Sequence, residues 1–258
     1  MTRPSIVECR ALIAACEIAE LDGLLASLES DPRAGVRELA TSHRRALARQ
    51  SAESERLGGL MALQRELHDQ GFVVVAGVDE VGRGALAGPV TAAAVVLDVE
   101  CAITGLNDSK RLTPQRRRQL AAAVRAQALG VGVAHVAAHE IDALGIGPAT
   151  RLAWRRALEG LGCAVDHVLV DGNDRRVPVP ATAVVRGDSA CACIAAASIV
   201  AKVERDELMQ DLAAEHPGYR LDVNKGYGTA EHISSIRTLG PTPIHRRSFA
   251  PCSSLPLF

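Results

Sequence analysis

Apolar residues recur along the first seventy positions at intervals of three and four. Ile6, Cys9, Leu12, Ile13 and Cys16 trace one helical face, and Leu21, Leu24, Leu25 and Leu28 trace another before the chain breaks at Asp31-Pro32. A second helical stretch continues to about Leu67, with Arg44, Arg45 and Arg49 on its polar run. Residues 1–70 therefore read as a helical hairpin packed on the main domain. From Gly71 the period changes. Short apolar runs bounded by glycine, at 72–78, 90–97, 131–137, 165–170 and 183–185, predict buried strands. Segments 114–129, 148–161, 189–215 and 229–239 have the length and composition of helices that cover a sheet. The alternation predicts an α/β domain over residues 71–251, with 252–258 left as a tail.

Composition narrows the class. The chain has 258 residues, 48% hydrophobic and 23% charged, with a formal net charge of −1, which excludes disordered and fibrous classes. A chain of this length buries about 70–75% of its unfolded surface, enough for a core without disulfide staples. Its seven cysteines include no CxxC pair, which points to a reducing compartment and a cytoplasmic protein. Glu8, Arg10, Glu17, Glu20 and Asp22 interrupt the N-terminal apolar stretch, and no charge-free run approaches the roughly 18 residues of a membrane span. Near-neutral charge means that any nucleic-acid surface must be local. Residues 1–70 carry nine arginines against eleven acids, so the extension is not a basic arm.

Rare residues are more informative. Only three lysines, Lys110, Lys202 and Lys225, stand against 26 arginines, and only three asparagines occur, Asn107, Asn173 and Asn224. They cluster in Asn107-Asp108-Ser109-Lys110, Asp171-Gly172-Asn173 and Asn224-Lys225-Gly226-Tyr227. A compact ammonium and a short amide are not replaceable by arginine or by most other residues, so clustering points to chemistry.

Two strands run directly into acid, one into Asp79-Glu80 and the other into Asp171. Carboxyl ends of parallel strands form the binding crevice of an open α/β sheet, so these acids meet if their strands are neighbours. Neighbouring carboxylates repel unless a cation lies between them, and hard oxygen ligands select Mg²⁺ or Mn²⁺. Asp188 stands just before the long helix 189–215, where an N-cap is the simplest role for it. Gly82-Arg83-Gly84 follows the acidic pair. A dinucleotide fingerprint fails there, because Asp79 and Glu80 would occupy the pyrophosphate position; a Walker loop fails because Gly-Lys-Ser/Thr is missing.

At these residues the sequence closely resembles bacterial ribonuclease HII, the type 2 ribonuclease H family. The matching segments are Gly77-Val78-Asp79-Glu80-Val81-Gly82-Arg83-Gly84, Asn107-Asp108-Ser109-Lys110, Val170-Asp171-Gly172-Asn173 and Gly187-Asp188. They continue with Ala195-Ala196-Ala197-Ser198-Ile199-Val200-Ala201-Lys202, Lys225-Gly226-Tyr227-Gly228-Thr229 and His245-Arg246-Arg247-Ser248-Phe249. The resemblance covers about 72–251, and the N-terminal extension is similar, less distinctively, to one found in some members.

It implies a ribonuclease H-like mixed sheet flanked by helices, with an N-terminal helical extension and a C-terminal tail. It also implies cleavage of the RNA strand of RNA/DNA hybrids, and nicking of duplex DNA on the 5′ side of an embedded ribonucleotide. By that resemblance Asp79, Glu80, Asp171 and Asp188 are the catalytic, metal-binding carboxylates of a two-metal Mg²⁺ or Mn²⁺ site, leaving 3′-hydroxyl and 5′-phosphate ends. Gly82, Arg83 and Gly84 match the loop that reads the 2′-hydroxyl, and Tyr227 matches the tyrosine at the ribose-to-deoxyribose junction. Asn107, Ser109 and Lys110 match a substrate-backbone loop. Lys202, Lys225, His232, His245 and Arg246 stay open between substrate contact and internal support. The expected protein is a monomer whose tail, through Leu255, Leu257 and Phe258, looks like a sliding-clamp docking peptide, with Cys252 departing from the expected Gln; the alternative is that Leu255 and Phe258 fold back onto the domain. Two other readings compete. A junction-type nuclease of the same fold class would cut all-DNA substrates, and a non-catalytic module would bind hybrid without cutting it.

Overall fold

The structure is a computed structural model that describes residues 3–101 and 103–254. It separates into two compact units, Met1–Arg56 and Leu57–Phe258. In the first unit, α1 (Ile6–Ala15), α2 (Ile18–Glu29) and the greater part of α3 (Ala34–Leu60) replace the expected hairpin. The extra break comes at Cys16, whose extended backbone (ψ 136°) ends α1, while Ser5 and Glu8 close a capping box at its start. Cys9, Ile13, Leu25, Leu28, Val36 and Ala40 form the core of this unit. Arg44 of the polar run is tied down by Asp22 and Glu29.

The second unit begins ahead of residue 71, because Leu57, Leu60, Met61 and Leu67, the last on α4 (Ala62–Asp69), are buried in its core. Its strands and helices follow as β1 (Val75–Val81), β2 (Val90–Val96), α5 (Pro114–Gln127), β3 (Gly130–Val136), α6 (Ala138–Leu144) and α7 (Ile146–Glu159). Then come β4 (His167–Asp171), β5 (Ala181–Val184), α8 (Gly187–Ala190), α9 (Ala192–Glu215), α10 (Leu221–Asn224) and α11 (Ala230–Leu239). The strands form one mixed sheet in the order β3-β2-β1-β4-β5. The β1–β2 and β2–β3 pairs are antiparallel; β1–β4 and β4–β5 are parallel.

Both faces of the sheet are covered, which is why its strands read as continuous apolar runs. One face, with Val75, Ala93, Val95 and Leu169, packs on the first half of α9. The other, with Ala76, Val78, Ala92, Ala94, Val168 and Val170, packs on α7 through Ala149, Ala153, Trp154 and Ala157. Residues Ala192–Ala201 of α9 are buried all round, as expected of a central helix. Gly77 makes this approach possible: a Cβ there would lie 2.3 Å from the backbone carbon of Cys193.

Two boundaries differ from the sequence expectation. The first strand starts at Val75 because Asp166 takes the amides of Val73 and Val74 (3.0 and 2.8 Å). It runs on to Val81, since β2 continues to pair with it at Asp79↔Ala93 and Glu80↔Ala92, so these acids lie inside the strand instead of after it. The long helix is split at Cys191, whose extended backbone (φ −138°, ψ 131°) separates α8 from α9. Asp188 therefore sits within the first turn of α8 and caps neither helix, Arg186 and Cys191 being the N-cap residues. Among the described residues no helix is long and apolar enough to cross a membrane, and all seven cysteines are free thiols.

The Gly77 contact predicts that Gly77→Ala lowers stability by about 1–3 kcal/mol, an overpacking cost. Gly58→Ala, on α3 with no atom within 4 Å of the new Cβ, is expected to raise it by up to ~1 kcal/mol through helix propensity. Thermal unfolding of the two variants beside the parent checks both signs.

Candidate active site

Parallel pairing of β1 with β4 sets Val78 opposite Val170, so the next residue on each strand, Asp79 and Asp171, are neighbours at the end of the shared ladder. Both share the α9 side of the sheet, with Gly77 and Leu169 two residues earlier. Glu80 points to the α7 side, as Ala76 and Val78 do. Asp79, Glu80, Asp171, Ser109, Lys110, Ser198, Lys202 and Tyr227 line one cleft of ≈ 320 Å³. Asp188 joins it through Lys110, whose Nζ lies 3.1 Å from Asp188 Oδ2.

Each carboxylate is held separately. Asp79 Oδ1 accepts the amide of Glu80 (2.7 Å), and Asp171 Oδ1 accepts the amide of Gly187 (2.7 Å). Glu80 takes the indole N–H of Trp154 on Oε2 (2.9 Å) and Arg83 Nη1 on Oε1 (3.3 Å). Burial raises the pKa of Asp79 well above the usual carboxylate range, and the charges of Glu80 and Asp171 push the same way. Glu80 and Asp171 are also raised, again by burial first, with Asp171 acting on Glu80 and Asp188 on Asp171. Lys110 loses something to burial, but Asp188 and the other nearby acids raise its pKa.

This donor set fits a hard divalent cation. It is all carboxylate oxygen, crowded enough that protonation competes with charge, and an ammonium already rests on one member. Among the described residues no three acidic, histidine or cysteine side chains are drawn in tightly enough to grip one ion as they stand. The Lys110 ammonium on Asp188 is consistent with that open arrangement.

Beside the acids, the glycine loop is built from below. Arg205 and Arg246 are both fully buried and neither forms an ion pair among the described residues, although Asp206 acts on Arg205 and Asp142 on Arg246 at longer range. Arg246 donates to the carbonyls of Gly82 (2.7 Å), Arg83 (2.7 Å) and Gly88 (3.1 and 3.0 Å). Arg205 donates to those of Pro89, Lys225 and Ala87, and its guanidinium lies 5.5 Å from the Tyr227 ring centroid. Burial lowers both pKa values, that of Arg246 to about 10, which leaves Arg246 charged at neutral pH. With the loop's carbonyls drawn inward, the amides of Gly82, Arg83 and Gly84 have no acceptor among the described residues. Gly82 has φ 87°, and a Cβ there would meet Arg205 Nε at 2.2 Å, so this position requires glycine.

Tyr227 is 37% exposed at the cleft, and its loop is tied to the glycine loop where the amides of Leu86 and Ala87 donate to Gly226 O. A buried histidine pair supports it. His245 Nδ1 accepts the amide of Thr242, so its Nε2–H donates to His232 Nε2 (3.2 Å), leaving His232 Nδ1–H to donate to Tyr227 O (2.9 Å). Burial lowers both pKa values, that of His245 to about 4 with His232 contributing. His232, His245 and Arg246 are thereby assigned to internal support.

Of the expected substrate residues, Ser109 is buried with its Oγ 3.0 Å from Ser198 Oγ, and Lys110 and Tyr227 line the cleft. Asn107 is not on the cleft wall and spends its amide oxygen on the amide of Asp108 (2.9 Å). Gly82, Arg83 and Gly84 stand beside the wall, Arg83 on Glu80. Lys202 lines the cleft while paired with Asp206 (2.6 Å), and Lys225 reaches Asp206 O (3.3 Å). Leu255, Leu257 and Phe258 lie outside the described residues. Sequence reasoning missed Trp154 and Arg205; the one signal for Trp154 was that it is the only tryptophan in the chain.

Comparison with known proteins identifies the family. Residues 76–252 match the family model Ribonuclease HII, and residues 5–68 match the model Ribonuclease HII N-terminal domain. Among solved structures, the ribonuclease H2 from Pyrococcus horikoshii OT3 is 25% identical with a TM-score of 0.61, over 70% of this chain and 96% of that one. The RNase HII of Archaeoglobus fulgidus, solved in complex with PCNA, is 24% identical with a TM-score of 0.56, over 67% and 94%. Bst-RNase HIII in complex with Mn²⁺ has the same fold at 21% identity and a TM-score of 0.57, over 72% and 70%.

Carboxylate crowding predicts a stability cost. A carboxyl whose folded-state pKa is raised contributes stability below its unfolded pKa and loses it as pH rises through the folded value. Asp79→Asn, which keeps an oxygen for the Glu80 amide, should raise the unfolding temperature of the protein in chelator, by roughly 2–4 °C per kcal/mol relieved. The gap from wild type should widen from pH 5 to pH 8.

Proposed function

This chain belongs to the ribonuclease HII family of metal-dependent ribonuclease H hydrolases, and on that premise we propose that it acts on RNA embedded in DNA as well as on RNA/DNA hybrids. Specifically, it nicks duplex DNA on the 5′ side of a single ribonucleotide, leaving 3′-hydroxyl and 5′-phosphate ends. Residues 71–251 carry the reaction, 1–70 are an extension and 252–258 a tail. The observation that carries the proposal is one cleft in which crowded carboxylates meet Tyr227 beside a glycine loop whose amides have no acceptor among the described residues.

Asp79, Glu80, Asp171 and Asp188 would hold two Mg²⁺ or Mn²⁺ ions. Bound there, the ions supply activation of the attacking water and stabilisation of the leaving 3′ oxygen. The chain's own residues do the rest. The amides of Gly82, Arg83 and Gly84 are donors for a 2′-hydroxyl, which DNA lacks. Tyr227, supported by Arg205 beneath and by the histidine pair behind, offers a ring face to the deoxyribose that follows the ribonucleotide. Lys110 gives a phosphate a point charge at the cleft edge, while Ser109 holds that turn on Ser198 and Asn107 shapes it. Arg83 and the buried guanidiniums add positive potential beneath the strand.

The tail, Leu255, Leu257 and Phe258, docks on a sliding clamp. Its sequence pattern supports this, as does the Archaeoglobus relative's complex with PCNA. Free thiols and the absence of an apolar helix of membrane length among the described residues support a cytoplasmic enzyme, taken as a monomer, in DNA replication and ribonucleotide excision repair.

The test is a duplex with one ribonucleotide, beside an all-DNA control, in Mg²⁺ and in Mn²⁺. Cleavage should fall 5′ to the ribonucleotide alone and vanish in Asp79→Asn and Asp171→Asn; cutting of the all-DNA duplex would instead favour a junction-type nuclease. Deleting residues 255–258 should weaken clamp binding in a pull-down and leave cleavage of free substrate unchanged.

A further inference from the structure

Among the four acids, Glu80 has the hardest placement. Asp79 and Asp171 lie on the α9 side of the sheet and are each fixed by a main-chain amide, and Asp188 is fixed by Lys110. Glu80 starts from the opposite face, carries one more rotatable bond than aspartate, and accepts no main-chain amide among the described residues. Its exposed partner, Arg83, is a 3.3 Å contact with a side chain that is itself 56% exposed, an interaction worth little in water. The other partner is different in kind. Trp154 is 2% exposed on α7, embedded in the core with Ala153 and Ala157, and its Nε1 lies 2.9 Å from Glu80 Oε2.

We infer that Trp154 is a positioning residue for catalysis: its buried indole commits one oxygen of Glu80 and so presents the other to the cleft and to a bound divalent cation. This rests on the reading of Glu80 as a metal ligand. The indole suits the task because it can only donate and does not titrate in the working range, so it cannot neutralise the carboxylate as a lysine or histidine could. Its ring is locked by packing on the side of the sheet from which Glu80 must be reached. Such supporting partners behind a ligand commonly carry 10–100-fold of metal affinity. The rival explanation is that a core tryptophan merely uses Glu80 to satisfy a buried N–H, in which case the metal would not register the bond.

Direct Mn²⁺ binding, read from the free-ion resonance without substrate, separates the two. Trp154→Phe, which keeps an aromatic ring and removes the donor, should weaken Mn²⁺ binding about tenfold or more. Glu80→Gln should weaken it too, and adding Trp154→Phe to Glu80→Gln should change nothing further. The wild-type protein gives a second reading that needs no core substitution. Because Trp154 is the only tryptophan, Mg²⁺ titration should shift its emission to shorter wavelength as the charge beside the pyrrole ring is offset, and Glu80→Gln should abolish the shift. Unchanged Mn²⁺ affinity in Trp154→Phe, an equal loss in both backgrounds, or silent Trp154 emission while Mn²⁺ binds would overturn the positioning role and leave the metal site standing. Wild-type affinity in Glu80→Gln would overturn the reading of Glu80 and this inference with it.

Discussion

Putting like charges side by side is what the parallel pairing of β1 with β4 does, and the rest of the site answers to it. The ladder that sets Val78 opposite Val170 leaves Asp79 and Asp171 as adjacent acids with the sheet behind them, while Asp188 approaches on the short helix α8. Burial and mutual repulsion both push the Asp79 pKa upward. An ammonium on Asp188, an indole on Glu80 and main-chain amides on the two strand aspartates hold the group in place. None of these offsets all of the crowded charge, which is why a divalent cation is the partner the chemistry calls for.

The second device is the use of buried guanidiniums as scaffolding. Arg205 comes from α9 and Arg246 from the segment after α11, and between them they collect carbonyls from both sides of the Gly82–Gly88 loop. Gathering these acceptors on the guanidiniums leaves the amides of Gly82, Arg83 and Gly84 without an acceptor among the described residues, which the proposed contact with a sugar hydroxyl requires. Two fully buried cations outside any ion pair are costly, and the carbonyl cage satisfies their N–H groups while keeping their positive potential beneath the glycine loop. Tyr227 is fixed to the same scaffold through Gly226 and the His232–His245 pair, so the two sides of the cleft are braced by one interior network.

Much of this was legible in the sequence. Five apolar runs gave five strands, because both faces of the sheet are covered, and acid directly after two of the runs marked the cleft. The errors came from tertiary pairing. β1 extends through Asp79 and Glu80 because β2 supplies partners beyond the point where β4 ends, which no local pattern records. Asp188 looked like a cap because the break at Cys191 lies inside an alanine-rich run that reads as one helix. The N-terminal hairpin is a three-helix arrangement because Cys16-Glu17 interrupts it without proline or glycine. Trp154 was invisible for a simpler reason: a tryptophan at helical spacing reads as core, which it is, and its polar edge declares itself only when Glu80 arrives from another element.

The central claim is that these carboxylates converge on divalent cations, and diffraction from crystals soaked in Mn²⁺ tests it most directly. Anomalous peaks bounded by Asp79, Glu80, Asp171 and Asp188, with Lys110 displaced from Asp188, are the expected result. Ordered crystals with no peak at these residues, or with Mn²⁺ bound only elsewhere, would contradict the account.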